Sequence, residues 1–393
     1  MKILYLTLSK IDLKKQGIYA DLINALSLAG HDVTLVQVCE PKDTKETTLQ
    51  TSQGVRILKV LSGELFGVNF IKKGISTVLV GPRCKAAIRR YLQDDAFDLV
   101  LYATPPITFA GVVRYAKKRY GCRSFLMLKD IFPQNAVDIG LFSEKGPICA
   151  YFRHQEKVLY RISDHIGCMS KKNREYLLSH HPELEPEKVL IFPNTQKVSA
   201  RKNVMVQEEQ ERKVRFVFGG NFGRPQAIDY LLRAIAGPRM QKCNAQFLFV
   251  GNGSETARVK EAAGKLPNME YIPYMPPEEY EQFMESCDVG IISLDHRFTI
   301  PNYPSRALSY MAMGKPILAA TDPVTDIREL VLEEARCGMW CSSDDTDAFT
   351  ECVERFVQDP DFRRTAGENG RNYFETHFDV QKSVAKIEEI MKG

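Results

Sequence analysis

A glycine-rich string ending in a cation, Gly219-Gly220-Asn221-Phe222-Gly223-Arg224-Pro225-Gln226, follows an apolar run and precedes a helix-like stretch, Ile228–Ala236. Glycines let backbone amides approach an anion. A helix N-terminus adds partial positive charge, and a guanidinium meets phosphate through a two-pronged fork. A plain strand-to-helix turn would need no arginine there, so phosphate binding is the favoured reading. The string matches neither the dinucleotide fingerprint G-x-G-x-x-G nor a P-loop, since no G-K-S/T follows. A second candidate runs from Thr299 to Pro316. Pro301 and Pro304 fix an irregular loop that carries Asn302 and Tyr303, and Ser305 is placed to cap a helix starting near Arg306. Free amides at that cap, with Arg306 beside them, would hold a second phosphate. A serine cap with a surface arginine is the plainer alternative. Both loops are expected at the carboxyl edge of one sheet, where together they suit a diphosphate.

Lys129-Asp130 follows the apolar run Ser124–Leu128 and puts two opposite charges at the end of an expected buried strand. An N-cap is the bland reading of that pair. Gly17, in Gln16-Gly17-Ile18-Tyr19 after the first strand, would let a ligand come close. The histidines His154, His165, His180, His181 and His377 show no ligand spacing, and the D-x-D of Asp345 and Asp347 reads as a helix cap. No metal or other cofactor is expected.

Parallel strands wrapped by helices must position these residues. Short apolar runs alternate with helical segments throughout, the rhythm of an α/β chain. In the first half the runs are Lys2–Thr7, Val33–Val38, Leu99–Ala103, Ser124–Leu128, His165–Met169 and Val189–Phe192. In the second they are Val214–Gly219, Phe247–Gly251, Val289–Ser293 and Ile317–Ala320. Ala20–Ala29 reads as a helix closed by a left-handed Gly30. The polar stretch 196–213 reads as a linker between two doubly wound domains, 1–195 and 214–377. Ligands of such sheets bind beyond the carboxyl ends of the strands. A terminal helix at about 378–393, with Val384, Ile387 and Ile390 on one face, is placed to fold back on the first domain or to pack on the second.

The 393 residues, 44% hydrophobic and 26% charged, exclude a disordered chain, and no apolar run approaches the ~20 residues of a bilayer span. The opening apolar stretch Ile3–Leu8 is short for a signal peptide and reads as a strand. Ten scattered cysteines without a C-x-x-C pair suit buried thiols in a reducing cytoplasm. Net charge is +4, unevenly spread: residues 54–123 hold 13 basic side chains against 4 acidic ones. Leu65, Phe66, Val68, Phe70 and Ile71 precede Lys72 and Lys73, and Arg89, Arg90, Arg114, Lys117, Lys118 and Arg119 lie on helix-like segments. Apolar beside basic suits an anionic membrane surface better than a face that only keeps the chain soluble. The expected location is cytoplasmic, peripheral on the inner face of the membrane, with no nucleic-acid partner.

Six segments in order carry a resemblance: Gly30-His31-Asp32-Val33, Phe192-Pro193-Asn194, Gly219 to Arg224, Val250-Gly251-Asn252-Gly253, Ile272-Pro273-Tyr274-Met275, and Leu308 through Pro316. The sequence resembles the retaining glycosyltransferases of family 4, which have the GT-B fold of two Rossmann-like domains. It is similar to the branch that builds bacterial surface polysaccharides, such as O-antigen fucosaminyltransferase-like enzymes. The resemblance implies a first, acceptor-binding domain and a second that binds a nucleotide-sugar, with a uridine diphosphate donor and a lipid-linked saccharide acceptor. It places Arg224 beside the donor diphosphate, with Gly220, Asn221 and Gly223 giving backbone approach and Gly253 in the neighbouring loop. Ser305 and Arg306 would face the phosphates, Tyr274 and main chain around Met275 the base, and Gln226 and the Asn302–Pro304 loop, with Asn302 and Tyr303, would help select the sugar. Gly17 would lie near the donor phosphate and acceptor.

Two departures stand out. The family's paired glutamates, eight apart, fall on Pro301 and Ser309, and Ser309 would hold a ribose hydroxyl more weakly than a carboxylate does. The usual His-Asp of the first domain is Lys129-Asp130, where Lys129 would donate toward sugar or phosphate and Asp130 would bind the acceptor hydroxyl. Retention in this family needs no enzymic nucleophile. The protein orients two substrates and stabilises the departing diphosphate, a duty that Arg224 and Arg306 suit without a metal. Two other readings stay open: a catalytically silent GT-B homologue serving as partner or scaffold, and a sugar-nucleotide 2-epimerase. The epimerase would want carboxylates and histidines that Pro301, Ser309 and Lys129 do not supply. A nicotinamide dehydrogenase is disfavoured by the missing glycine fingerprint after the first strand.

Overall fold

The computed structural model describes residues 1–64, 70–199 and 212–392, with the side chains of 70–75, 77 and 277 left aside. The apolar Leu65, Phe66 and Val68, the side chains of Phe70, Ile71, Lys72 and Lys73, and most of the linker 196–213 therefore lie outside the described residues. The chain divides into two compact units, Met1–Gln196 with Val380–Gly393, and Lys197–Asp379.

The first unit is built on eight strands: β1 Lys2–Thr7, β2 Asp32–Cys39, β3 Thr48–Ser52, β4 Val55–Leu61, β5 Leu99–Ala103, β6 Arg123–Leu128, β7 His165–Cys168 and β8 Val189–Ile191. Their order is β3-β4-β2-β1-β5-β6-β7-β8, parallel except for the β3–β4 hairpin. Continuous apolar runs make the central strands because both faces of a parallel sheet are covered: β1 is buried from Ile3 to Thr7 and β5 throughout. The hairpin is absent from the sequence reading. Its outer strand is polar and largely exposed and shows no apolar run, although the inner strand β4 does, over Val55–Leu61. Gln53 and Gly54 turn it with positive φ of 51° and 78°, as a two-residue hairpin loop requires.

Helix Ile18–Leu28 buries Leu22, Ile23 and Leu26 and ends at Ala29, with Gly30 at φ 86° in the left-handed conformation. Helix Val380–Lys392 packs on it, and Val380, Val384 and Ile387 join Ile3, Tyr5, Leu22 and Leu35 in one core. Each such buried aliphatic side chain is worth about 1.5–3 kcal/mol. Polar contacts fix the rotation of this helix: His31 Nε2 to Glu388 at 3.1 Å, and the Thr195 and Ser383 hydroxyls at 2.8 Å. The terminal helix thus belongs to the first unit, while the preceding helix Pro360–His377 packs in the second.

The second unit carries six parallel strands: β9 Val214–Asn221, β10 Ala245–Asn252, β11 Met269–Ile272, β12 Val289–Ser293, β13 Ile317–Thr321 and β14 Gly338–Ser342. Their order, β11-β10-β9-β12-β13-β14, reverses between β9 and β12, which defines a topological switch point. β9 pairs with β10 all the way to Asn221, but its pairing with β12 ends at Val217. Past that point the two strands no longer pair, and their carboxyl ends lie side by side at the switch point. β14, half-buried and with Gly338 and Trp340 breaking its apolar character, escapes the sequence reading.

All ten cysteines are free thiols, nine of them buried. Asp345 caps helix Thr346–Gln358 by accepting from the amides of Asp347 and Ala348 at 3.1 and 2.9 Å. No helix among the described residues is long and apolar enough to cross a membrane, and none of their His, Cys, Asp or Glu side chains cluster as a metal site would need.

Candidate active site

In the second unit the glycine-rich string differs in one respect from the expected loop. Gly219, Gly220 and Asn221 belong to β9 itself, and the turn is confined to Phe222–Gly223 and the 3-10 segment Arg224–Gln226. The β9–β10 pairing continues through Gly220 and Gly251, at φ 115° and 137°, where L side chains are strained. A Cβ on Gly251 would run into the Gly220 carbonyl oxygen, so the two strands approach more closely than any other residue permits. Gly253 is held by its N–H donating to Thr256 Oγ1 at 2.7 Å. Gly223 leaves room for the Asn221 amide, 2.8 Å from where its Cβ would stand.

Arg224 is exposed at the turn, and no ion pair or hydrogen bond engages its guanidinium among the described residues. Arg306 starts helix Arg306–Ala312 and is half-buried. Its guanidinium lies over the Phe218 ring, 4.4 Å from the ring centroid, with one nitrogen 2.9 Å from the position a Gly220 Cβ would take. Ring stacking fixes the fork while leaving its N–H donors for a ligand. Both cations therefore stand at the carboxyl edge of one sheet, beside the parting of β9 and β12.

Two tyrosines that the sequence reading passed over build this edge. The buried Tyr310 hydroxyl accepts from Gly219 N–H at 3.4 Å and lies 3.2 and 3.3 Å from the carbonyls of Val217 and Ile291, tying β9, β12 and the helix together. Its ring covers Gly290, where a Cβ would clash. Tyr280 lies against Gly219 in the same way, and burial pushes both phenols upward in pKa. The signal was present in sequence as glycines at Gly219 and Gly290 on buried strands, which mark close approach.

Three residues of the second loop depart from expectation. Ser305 stands at the N-cap but adopts helical dihedrals (φ −61°, ψ −15°) and its side chain caps nothing. The turn from Pro304 already carries backbone bonds, Ala307 N–H to Pro304 O at 3.2 Å and Leu308 N–H to Ser305 O at 3.1 Å. Tyr303 packs, partly buried, against the core that holds Tyr310, Cys337 and Phe374, and burial drives its phenol up. Asn302 gives its carbonyl to the Thr325 hydroxyl and its amide, at 3.5 Å, to the Ile300 carbonyl. Ser309 is half-buried one turn from Arg306. Beyond β11, Tyr274 is 65% exposed while Met275 packs on the core.

In the first unit, Lys129 and Asp130 follow β6. Thr104, after β5, shapes their turn: its Oγ1 accepts from Lys129 N–H at 3.0 Å and Asp130 N–H at 3.4 Å. The Lys129 ammonium is half-buried over the Phe192 ring at 5.6 Å. Burial pushes it down to about 7, against the pull of Asp130. Asp130 keeps solvent contact in crowded surroundings. Desolvation carries its carboxyl up to about 6, opposed by Lys129. With water still reaching Asp130, the ammonium is the more firmly perturbed of the two. Asn194, buried to 8% exposure, has its Oδ1 unpaired and lines the same small cleft as Lys129, Phe192 and Tyr19. Burial first and Asp130 second push the Tyr19 phenol up to about 12. Gly17 heads helix Ile18–Leu28 in extended backbone (φ 163°), and a Cβ there would meet nothing within 4 Å. Its space is open rather than forced.

Two family models cover most of the chain: "Glycosyltransferase Family 4" over residues 18–195 and "Glycosyl transferases group 1" over 213–359. The chain belongs to the family 4 glycosyltransferases. This transferase is 26% identical over 273 residues to the probable glycosyltransferase WbjE of Pseudomonas aeruginosa, a match spanning 66% of each chain. It is 20% identical over 311 residues to an uncharacterized glycosyltransferase of Methanocaldococcus jannaschii, 75% of each. Its fold matches sucrose-phosphate synthase from Thermosynechococcus elongatus at TM-score 0.78 and 17% identity, over 100% of this chain and 98% of that one. Anabaena HepE, solved with UDP and glucose, matches at TM-score 0.70 and 15% identity over 100% and 99%. WaaG, a glycosyltransferase involved in lipopolysaccharide biosynthesis, matches at 0.65 and 15% over 100% of both chains. The two-unit α/β architecture is that of the GT-B glycosyltransferases.

Proposed function

We propose that this glycosyltransferase moves a sugar, with retention, from a uridine diphosphate donor to a lipid-linked glycan in the assembly of a bacterial surface polysaccharide. The observation that carries the reading is the pair of cations without ion pairs among the described residues, Arg224 and Arg306, at the edge where β9 leaves β12. Cations left unpaired beside a close-packed glycine edge suit a diphosphate. The UDP complex of HepE supports the choice of base, and the likeness to WaaG, a glycosyltransferase involved in lipopolysaccharide biosynthesis, supports the pathway class. The 13 basic side chains of residues 54–123 support an acceptor held at a membrane surface.

In this reading Arg306, fixed on Phe218, and Arg224 neutralise the charge that grows on the leaving diphosphate. Preorganised donors act most strongly where charge develops. The departing phosphate oxygen takes the acceptor's proton on the same face of the sugar, which preserves the anomeric configuration. Main chain near Tyr274 and Met275 holds the base, Ser309 a ribose hydroxyl, and the Asn302 loop the sugar. Lys129 donates toward sugar or phosphate, and Asp130 holds the acceptor hydroxyl. No metal enters the scheme. The test is to incubate the enzyme with UDP-sugars and a polyprenyl-diphosphate saccharide without divalent cation, then determine the anomeric configuration of the product. Retained configuration supports the reading. Absence of transfer and of donor hydrolysis, with tight binding to another transferase, would instead support the silent homologue favoured by Pro301 and Ser309.

A further inference from the structure

A hollow of about 380 Å3 in the first unit lies between the end of β4 and helix Phe70–Tyr91, and Lys129 is not part of its lining. Val60 and Leu61 form one wall. The helix supplies the other through Ala86 and Ala87, with Arg83 one turn before them and Arg90 one turn after. Positions 83, 86, 87 and 90 share one helix face, so the two arginines leave the helix two turns, about 10 Å, apart along the axis with small side chains between them, and the Arg90 guanidinium lies 5.4 Å from the Tyr91 ring centroid. The alanines are what leave the hollow open. No acidic side chain is part of its described lining, and no ion pair or hydrogen bond engages either guanidinium among the described residues.

The same stripe continues outward in apolar form. Leu79, one turn before Arg83, is 39% exposed, and its neighbour Val78 is 45% exposed. Two unpaired forks over an apolar floor, with exposed aliphatic side chains leading away from them, match a phosphate joined to a hydrocarbon chain. A soluble phosphate would gain nothing from the apolar part.

We propose that the hollow between Arg83 and Arg90 is a binding site for the phosphate headgroup of a lipid, which seats the first unit on an anionic membrane surface. The inference rests on the lipid-linked acceptor of the proposed function and adds the place where a lipid phosphate docks. Arg83 and Arg90 hold the phosphate by charge-assisted forks, and Leu79 and Val78 enter the interfacial layer.

The test is co-sedimentation of the full-length protein with vesicles of phosphatidylcholine, alone or mixed with phosphatidylglycerol. The wild type should partition onto the mixed vesicles only. Each basic side chain at such a surface contributes on the order of fivefold to partitioning through charge alone. Lys85→Ala with Arg89→Ala removes two charges from the adjoining face and measures that diffuse part. Arg83→Ala with Arg90→Ala should weaken partitioning about tenfold further, because the forked contacts go as well. Ala86→Phe fills the hollow with the charge unchanged and should also lose about tenfold. Equal losses from the two double variants, or an unaffected Ala86→Phe, would overturn the site in favour of diffuse charge. Displacement of the wild type by inorganic diphosphate as effective as by the lipid would overturn the lipid assignment. UDP binding, measured in parallel, should be unchanged in all variants. Its absence from the wild type would sink the donor reading and leave the vesicle result to stand by itself.

Discussion

The glycine edge of the second unit and the Lys129–Asp130 turn of the first are both strand ends carrying charge, yet they are built in opposite ways. The first is set by shape: Gly220 and Gly251 touch, Tyr280 and Tyr310 cover glycines, and Arg306 is clamped on Phe218. The second is set by protonation: an ammonium lowered to about 7 beside a carboxyl raised to about 6. Substitutions that add atoms should therefore damage the second unit, while changes of pH should act through the first.

The sharpest contrast is between two glycines. Gly251→Ala places a Cβ against the Gly220 carbonyl at a positive φ, and the strain alone costs on the order of 1–3 kcal/mol before the clash is counted. Denaturant unfolding should show that loss, and UDP binding should disappear with it. Gly17→Ala adds a Cβ into open space on extended backbone, and stability should move by no more than about 0.5 kcal/mol. Equal destabilisation by both would erase the distinction between the two strand ends.

Next in size are the cations. Arg306→Ala removes a stacked fork and Arg224→Ala an exposed one. Each charge-assisted bond is worth about 1.5–3 kcal/mol, so titration calorimetry should show UDP binding weaker by roughly tenfold to a hundredfold. Arg306→Lys should recover little of it, because an ammonium neither stacks nor forks.

Protonation should govern the first unit. Lys129 is charged below about pH 7 and Asp130 above about pH 6, so the charged pair is most populated between them. Transfer should follow a bell with macroscopic limbs near those values, falling on the acid side as Asp130 protonates and on the alkaline side as Lys129 deprotonates. Lys129→Arg, which stays charged, should abolish the alkaline limb. A limb that persists would assign it elsewhere. Stability runs the other way for the lysine. Between about pH 7 and its ordinary 10.5 the unfolded chain binds the extra proton, so stability rises with pH across that window.

The smallest effect is expected at Ser309. Ser309→Glu restores a carboxylate for the ribose and should tighten UDP binding a few-fold by strengthening one hydrogen bond. Weaker binding would mean that a ribose hydroxyl does not lie there.

Most of the framework could be read from apolar runs, because parallel strands buried on both faces are apolar throughout. β1, β2, β5 and β12 are examples, and the left-handed Gly30 was legible for the same local reason. β3, β4 and β14 are absent from those runs: β3 is polar and exposed and β14 only half-buried, whereas β4 does carry an apolar run, Val55–Leu61. At the site, residue type announced Arg224, Arg306 and the glycines. Their surroundings depended on contacts far apart in the chain: Phe218 beneath Arg306, Tyr310 reaching Gly219, Phe192 beneath Lys129. Ser305 shows the limit from the other side. A serine in capping position does not cap when helical backbone bonds begin one residue earlier.

The central claim, that the glycine edge with its two free cations holds a nucleoside diphosphate, is tested most directly by thermal unfolding with uridine, guanosine, adenosine and thymidine diphosphates, on the wild type and on Arg224→Ala. A ligand at a hundred times its Kd stabilises by about 2.7 kcal/mol. The account predicts that UDP raises the wild-type Tm and that Arg224→Ala blunts the rise. No shift with any nucleotide, or an equal shift in the variant, would contradict it.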